Sequence, residues 1–413
     1  LRINPGNIGS AGVDEAIIRD DGTTVNGGGS GTASTGTITL GGTVTSGDIT
    51  LIGDSGISIA GNITSNETGG AGNISFTGPV TLKGDIVITA DDNAASSITF
   101  AASSTINSDS TARSLKLDTA GGAIVLDGAI GATTNGALSS LIINGPDDGE
   151  GAGDIDVANI GGSTVGVTGA TVIGNTNTDD LVLDGTVYNT TGAQTYTAAT
   201  GDKILVGTTN NAVSFNTSNA NVAFNTSDVK LASGANLTVD TNSGNNGTIT
   251  FQGSIHGNTG GNVTDITSLD GGGAAVTVNA IDSNIEDISI TGPTTLKGNI
   301  TTASNGTVTI TGNTTINGDV TIDTKTGGGA NVLITGTLNA TATTDDLDID
   351  AGTDAETSAT PVTSVDTIQA AYNVGGMTVA IGHAEADEIS YNGDNGTAND
   401  EHDNTQTFIS VKM

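Results

Sequence analysis

Two phrases recur along this chain of 413 residues, and a chain that repeats itself at intervals is constrained to fold as stacked units rather than around one globular centre. The first is Leu117-Asp118-Thr119, which returns as Val239-Asp240-Thr241 and Ile322-Asp323-Thr324. Each copy leads into a Gly- or Asn-rich tract and then an apolar run: Ile124-Val125-Leu126, Ile249-Thr250-Phe251 or Val332-Leu333-Ile334. The second runs from Ile74-Ser75-Phe76-Thr77-Gly78-Pro79 through Leu82-Lys83-Gly84. It returns as Ile288-Ser289-Ile290-Thr291-Gly292-Pro293 through Leu296-Lys297-Gly298. The apolar residue ahead of each Asp is expected to face a core, and the tract after each Thr to turn a corner.

Between the phrases the text is short apolar–polar alternation, as in Thr37-Ile38-Thr39-Leu40 and Thr307-Val308-Thr309-Ile310, punctuated by Gly, Asn and Asp. Alternation with period two and β-branched residues reads as strand, and Asn-Gly or Gly-Gly dipeptides supply the positive φ of sharp corners. No segment keeps a helical period. The Asp-Thr phrases lie 122 and 83 residues apart, both near multiples of roughly 20 residues, which is the length of a β-solenoid coil. The expected fold is all-β, a parallel β-helix (β-solenoid) with irregular terminal segments; tandem β-sandwich domains are the alternative. Coils stacked about 4.8 Å apart would make a rod about 70–80 Å long.

This reading divides the chain into a lead-in or subunit-joining segment at 1–36, a β-strand repeat array at 37–352, and a capping or subunit-joining module at 353–413. In the last part, Tyr372 to His383 reads as one longer strand with a faint likeness to a porin hairpin. Too little chain remains there for a membrane barrel. The chain begins at Leu1 without a signal-peptide pattern, which points to a piece of a longer precursor.

Composition narrows the function. The formal net charge is −35, from 10 Lys+Arg against 45 Asp+Glu, so no basic patch exists to displace counterions from nucleic acid, and cations are the natural partners. Cys is absent, which removes disulfides, thiolate catalysis and Cys-based metal sites. Aromatics make up 2% and Trp is absent, so the interior must be filled mainly by aliphatic residues and Thr. No apolar stretch approaches the roughly 20 residues of a transmembrane helix.

Carboxylates supply the only candidate sites. In a strand, Asp346, Asp348 and Asp350 share one face while Leu347 and Ile349 share the other, and Asp354 and Glu356 follow closely. Carboxylates about 7 Å apart repel each other, and a hard cation with oxygen ligands relieves that, so Ca2+ is the candidate. Asp394, Asp400 and Asp403, beside His402, form a second candidate calcium loop. Solvated acidic surface is the plainer reading of both. Catalysis is not expected: a triad would have to use His256, His383 or His402, none in a nucleophile-elbow context. His256 reads as a turn residue after a strand. Neither a catalytic nor a cofactor-binding residue is assigned.

The segments Val320-Thr321-Ile322-Asp323-Thr324 with Gly327-Gly328-Gly329, and Gly292-Pro293 through Leu296-Lys297-Gly298-Asn299-Ile300-Thr301, resemble the β-strand repeats of giant bacterial surface proteins. These include filamentous-haemagglutinin-like and autotransporter-like adhesins. The resemblance implies an exported, non-enzymatic surface or filament protein. Its partners would be further copies of itself, in a homopolymer, and cell-surface glycans or other surface proteins. The alternatives are an adhesin stalk and a phage or carbohydrate-processing β-helix.

Overall fold

The computed structural model describes residues 37–351, apart from short breaks at 68–69, 92, 146–152, 242–246, 259, 283 and 325–329. It also gives the backbone of six strands near the ends: Arg2–Ile3, Glu15–Arg19, Thr24–Val25, Ser364–Val374, Met377–Asp387 and Asn404–Lys412. The described array is a β-solenoid. The chain crosses three faces in turn and comes back to the first, so each strand pairs in parallel with strands one coil away. Antiparallel sandwich sheets would not pair in this way.

Face one carries strands such as Ile38–Leu40, Ile57–Ile59 and Val80–Leu82, and it narrows to single bridges at Ile130 and Ile160. Face two is a 13-stranded sheet running from Val44–Ser46 to Leu338–Ala340. Face three has 15 strands ending at Leu347–Asp350, and all run parallel except Thr24–Val25, which lies antiparallel on Glu15–Arg19. Thus Arg2–Ile3 and Glu15–Arg19, in the expected lead-in, join the stack as an extra coil. Fourteen parallel strands spaced about 4.8 Å apart make face three about 60 Å long. That is shorter than the sequence suggests, because most of the coils are longer than 20 residues. Ile124 pairs with Ile155 across 31 residues, whereas Ile281 pairs with Ile300 across 19.

Alternation decides which residues enter the core. Three-residue strands such as Ile57–Ile59 and Ile98–Phe100 bury their outer two positions and leave the middle one part-exposed. On face three, Ile49, Ile74, Ile98, Ile124 and Ile155 stack as one buried column that continues through Ile204 and Ile255 to Ile322. The few aromatic residues stack in the same way. Phe76 lies on Phe100 at 4.2 Å, and Tyr188, Tyr196, Phe215, Phe224 and Phe251 form a second buried group.

The recurring phrases turn out to be corner devices rather than coil markers. Leu117 is on face two, Val239 on face one and Ile322 on face three, and all three are fully buried as expected. Each following Thr folds its hydroxyl back across the corner. Thr119 Oγ1 donates to the Gly122 carbonyl at 2.8 Å, Thr241 Oγ1 to Gly247 at 2.5 Å, and Thr324 Oγ1 to Ala330 at 2.8 Å. The next core residue arrives two positions later in every case. Gly78 likewise turns from face three to face one and Gly292 from face one to face two, with φ of 110° and 122°. A Cβ at Gly78 would lie 2.0 Å from the Gly53 carbonyl oxygen one coil earlier.

The C-terminal strands form a separate three-stranded antiparallel sheet, in chain order. The run from Tyr372 to His383 is therefore two strands rather than one, since Gly375-Gly376 separates Ser364–Val374 from Met377–Asp387. No helix of the described residues is long and apolar enough to cross a membrane.

Two substitutions test the corner account by chemical denaturation. Thr119→Val removes a buried hydroxyl that also accepts from Asn144 Nδ2, and should cost about 1–3 kcal/mol. Gly78→Ala meets both the wrong φ and a backbone oxygen, and should cost at least as much, about 2 kcal/mol or more. The surface change Thr81→Ser should be nearly neutral.

Candidate functional site

Acidic side chains do structural work before any other. On face three, the residue that opens or immediately precedes a strand accepts a hydrogen bond from the backbone N–H of the next coil. Asp48 Oδ1 accepts from Asn73 at 2.7 Å and Asn73 Oδ1 from Ser97 at 3.1 Å. Further along, Asp154 accepts from Asp180, Asp180 from Lys203, and Asp228 from Ser254. Face one has its own series, in which Asn236, Asp265 and Asp287 serve Asp265, Asp287 and Thr307 in turn. A carboxylate that receives an N–H is held more strongly than a neutral acceptor, so part of the acidic composition goes into joining coils.

One group of carboxylates is strained. Asp156 sits in the outward row of face three between Val125 and Val182 and is half-buried. Burial, then the charges of Asp184 and Asp127, push its carboxyl up to about 6. Asp184 is also raised, mainly by burial and then by Asp127. In contrast, Asp109 is held low by the hydrogen bond from Arg113 and the Thr111 N–H.

His256 is not a turn residue. It lies in the strand Ile255–His256, opposite Lys230 on one side and Asp282 on the other. Its Nε2 is 3.3 Å from Asp228 Oδ2, and its Nδ1 contacts the Asp282 carboxylate. Both ring nitrogens therefore face carboxylates across neighbouring coils, which makes the residue a cross-coil tie.

The expected calcium row occupies the last described coil. Asp346 immediately precedes the strand Leu347–Asp350, with Asp348 opposite Thr321 and Asp350 opposite Asp323. Asp346 and Asp348 are exposed and Asp350 is half-buried, so the alternation is as read from sequence. The Asp346 N–H donates to Asp319 Oδ1 at 3.1 Å, which makes Asp346 a rung of the inter-coil series. Asp354, Glu356, Asp394, Asp400 and Asp403 lie outside the described residues. Among the described residues no group of three or more His, Cys, Asp or Glu is arranged to hold a metal ion.

The same coil is where the core ends. Val332, Ile334, Leu347 and Ile349 are only partly buried, and Leu333 and Leu338 are 52% and 40% exposed. They are the only exposed large apolar side chains among the described residues. Among the described strands of the array, Val332–Thr335, Leu338–Ala340 and Leu347–Asp350 are the last of their sheets.

The Asp and Asn series has a sequence signal, an Asx residue just ahead of an apolar run, but that signal is lost among the many other Asn and Asp residues. The crowding at Asp156 has none, since Val125 and Val182 meet it only across coils. No protein-family model, curated protein or solved structure matches the chain.

The raised Asp156 value sets a pH dependence. The folded state holds this proton more tightly than the unfolded chain, so its contribution is full below about pH 4 and is lost as pH rises through about 6. Asp156→Asn should therefore stabilise the rod at pH 7.5, by about 1 kcal/mol after allowing for solvent screening, and change little at pH 4. Paired denaturation curves at the two pH values check this.

Proposed function

We propose that this chain is a non-enzymatic structural protein of a cell surface or extracellular filament, sheath or surface layer, a rod whose copies join end to end. The observation that carries this reading is the difference between the two ends of one continuous core. At the first end the face-three sheet terminates in the antiparallel strand Thr24–Val25, whereas the last described coil ends in three parallel strands with two exposed leucines. Bare strand edges are templates for pairing, and a contact between unlike ends propagates instead of closing. The high negative charge suits a large solvated surface. The likeness of the repeats to filamentous-haemagglutinin-like and autotransporter-like adhesins supports export. Three His and three Arg in the whole chain, with His256 tied between carboxylates, leave little for catalysis to use.

A second reading, an adhesin stalk that displays a binding region to glycans or other surface proteins, is favoured by the antiparallel strand Thr24–Val25, since it interrupts the parallel ladder at that end. Negative-stain microscopy and sedimentation of the full chain separate the two: joined copies give fibres with a regular axial repeat, and a stalk stays a single short rod. Leu338→Asp should abolish fibres while leaving the circular dichroism of the rod unchanged. Fibres of normal length from this variant would refute joining through the last coil.

Calcium is proposed separately at the full set Asp346, Asp348, Asp350, Asp354 and Glu356, since the three described carboxylates are not by themselves arranged to hold an ion. It predicts a lower melting temperature after EGTA treatment and its recovery on adding Ca2+.

A further inference from the structure

Face two differs from the other faces in charge. Among the residues of its 13 described strands, only Lys116 and Asp118 are charged, and they approach each other to 3.8 Å. The strands of face three hold Asp156, Lys230, His256 and Asp282 among others, and those of face one hold Asp240, Asp265, Glu286 and Asp287. In a chain of net charge −35 the neutral surface is thus gathered on one side.

Register turns that side into a continuous row. From Val87 to Asn339 the outward residues of 11 successive strands lie next to one another, part-exposed throughout and exposed at Asn339. The bulkiest members, Val87, Lys116, Ile142 and Val172, come first. Ala223 stands sixth, at the middle, and the later positions from Thr250 to Thr315 are threonines. The corners that lead into this later part, 217–221, 271–275, 292–293 and 312–313, contain no charged residue, whereas Asp85, Asp109 and Arg113 flank the start.

We propose that face two is a docking surface for a second copy of this chain, the two rods lying side by side and antiparallel about a two-fold axis at Ala223. Rods of such negative charge repel each other, so a side contact has to use the face with the fewest carboxylates. Eleven strands about 4.8 Å apart and three residues wide present about 500 Å² per copy, or about 1,000 Å² in all, which reaches the lower bound for a specific interface. The antiparallel sense follows from bulk. It sets Lys116 opposite the partner's Thr315, Ile142 opposite the partner's Thr295 and Val172 opposite the partner's Thr277, large against small, so that the rows interdigitate. Parallel rods would place each bulky side chain against its own counterpart and hold the threonine half apart. This contact is lateral and goes beyond end-to-end joining: it doubles the width of a rod without lengthening it.

Sedimentation equilibrium of the full chain should show dimers that tighten as NaCl rises from about 0.05 to about 0.5 M, because salt screens the repulsion between rods. Thr250→Glu puts a carboxylate in the row and should weaken dimerisation at least about tenfold. Thr309→Glu, outward on face one, should leave it unchanged. A chain that stays monomeric, or equal effects of the two substitutions, would overturn the proposal.

A second measurement introduces single cysteines into a chain that has none. With a short bismaleimide, copies of Ala223→Cys should link to one another. Thr315→Cys should link poorly to itself but well to Lys116→Cys when the two are mixed. Failure of Ala223→Cys to link, or self-linking of Thr315→Cys to the same yield, would overturn the antiparallel pair. Neither readout needs fibres. Fibres from a chain without side pairing would refute this inference and leave end joining standing, and side pairs that never lengthen would do the reverse.

Discussion

Everything in this molecule depends on the parallel backbone ladder between coils. Each strand is only a few residues long and would not persist alone, so its N–H and C=O groups are satisfied only because the same face recurs about 4.8 Å away. That spacing then governs the interior. Inward residues of successive coils lie directly over one another, which is why Ile49, Ile74, Ile98 and Ile124 form a column and Phe76 lies flat on Phe100. A thin interior of this kind can bury its apolar groups completely with little aromatic bulk, because the neighbours above and below supply the contacts that a globular core draws from all sides.

The corners are where the ladder tolerates variation. Coils of 19 and of 31 residues keep the same strand pairing because the extra chain is placed between faces. What the corners must supply is local: a hydroxyl that closes the turn, as at Thr119, Thr241 and Thr324, or a glycine with positive φ where one coil runs close under the next, as at Gly78. The Asp and Asn residues that open strands add a second tie, since each accepts an N–H from the following coil. The large negative charge is thus partly absorbed into the structure. Where burial and neighbouring charge outweigh such donors, as at Asp156 and Asp184, the cost shows as raised proton affinity.

A ladder that satisfies itself along its length is unsatisfied at its ends. The two described ends of this rod differ: the face-three sheet begins with the antiparallel strand Thr24–Val25, and the last described coil ends in parallel strands with exposed leucines. The polar sides of the rod are suited to solvent. This is the physical basis of the mechanical role proposed above.

Period-two alternation is a local property, so the strands, the inward set including Leu117, Val239 and Ile322, and the all-β class were legible in the sequence alone. Absence of Cys and scarcity of cationic groups likewise bound the chemistry without any structure. The order of the faces was not legible. The recurring phrases suggest a coil period, yet their copies stand on three different faces, because a corner needs the same hydroxyl or glycine wherever it occurs. Register depends on the summed length of three strands and three corners, and corners vary freely, so only the folded chain decides that Asp156 lies between Val125 and Val182 or that His256 is tied to Asp228 and Asp282. The acidic row at Asp346 to Asp350 was visible as a pattern. That it sits on the last described coil, beside the only exposed leucines among the described residues, follows from where the stacking stops, and no local sequence signal marks that point.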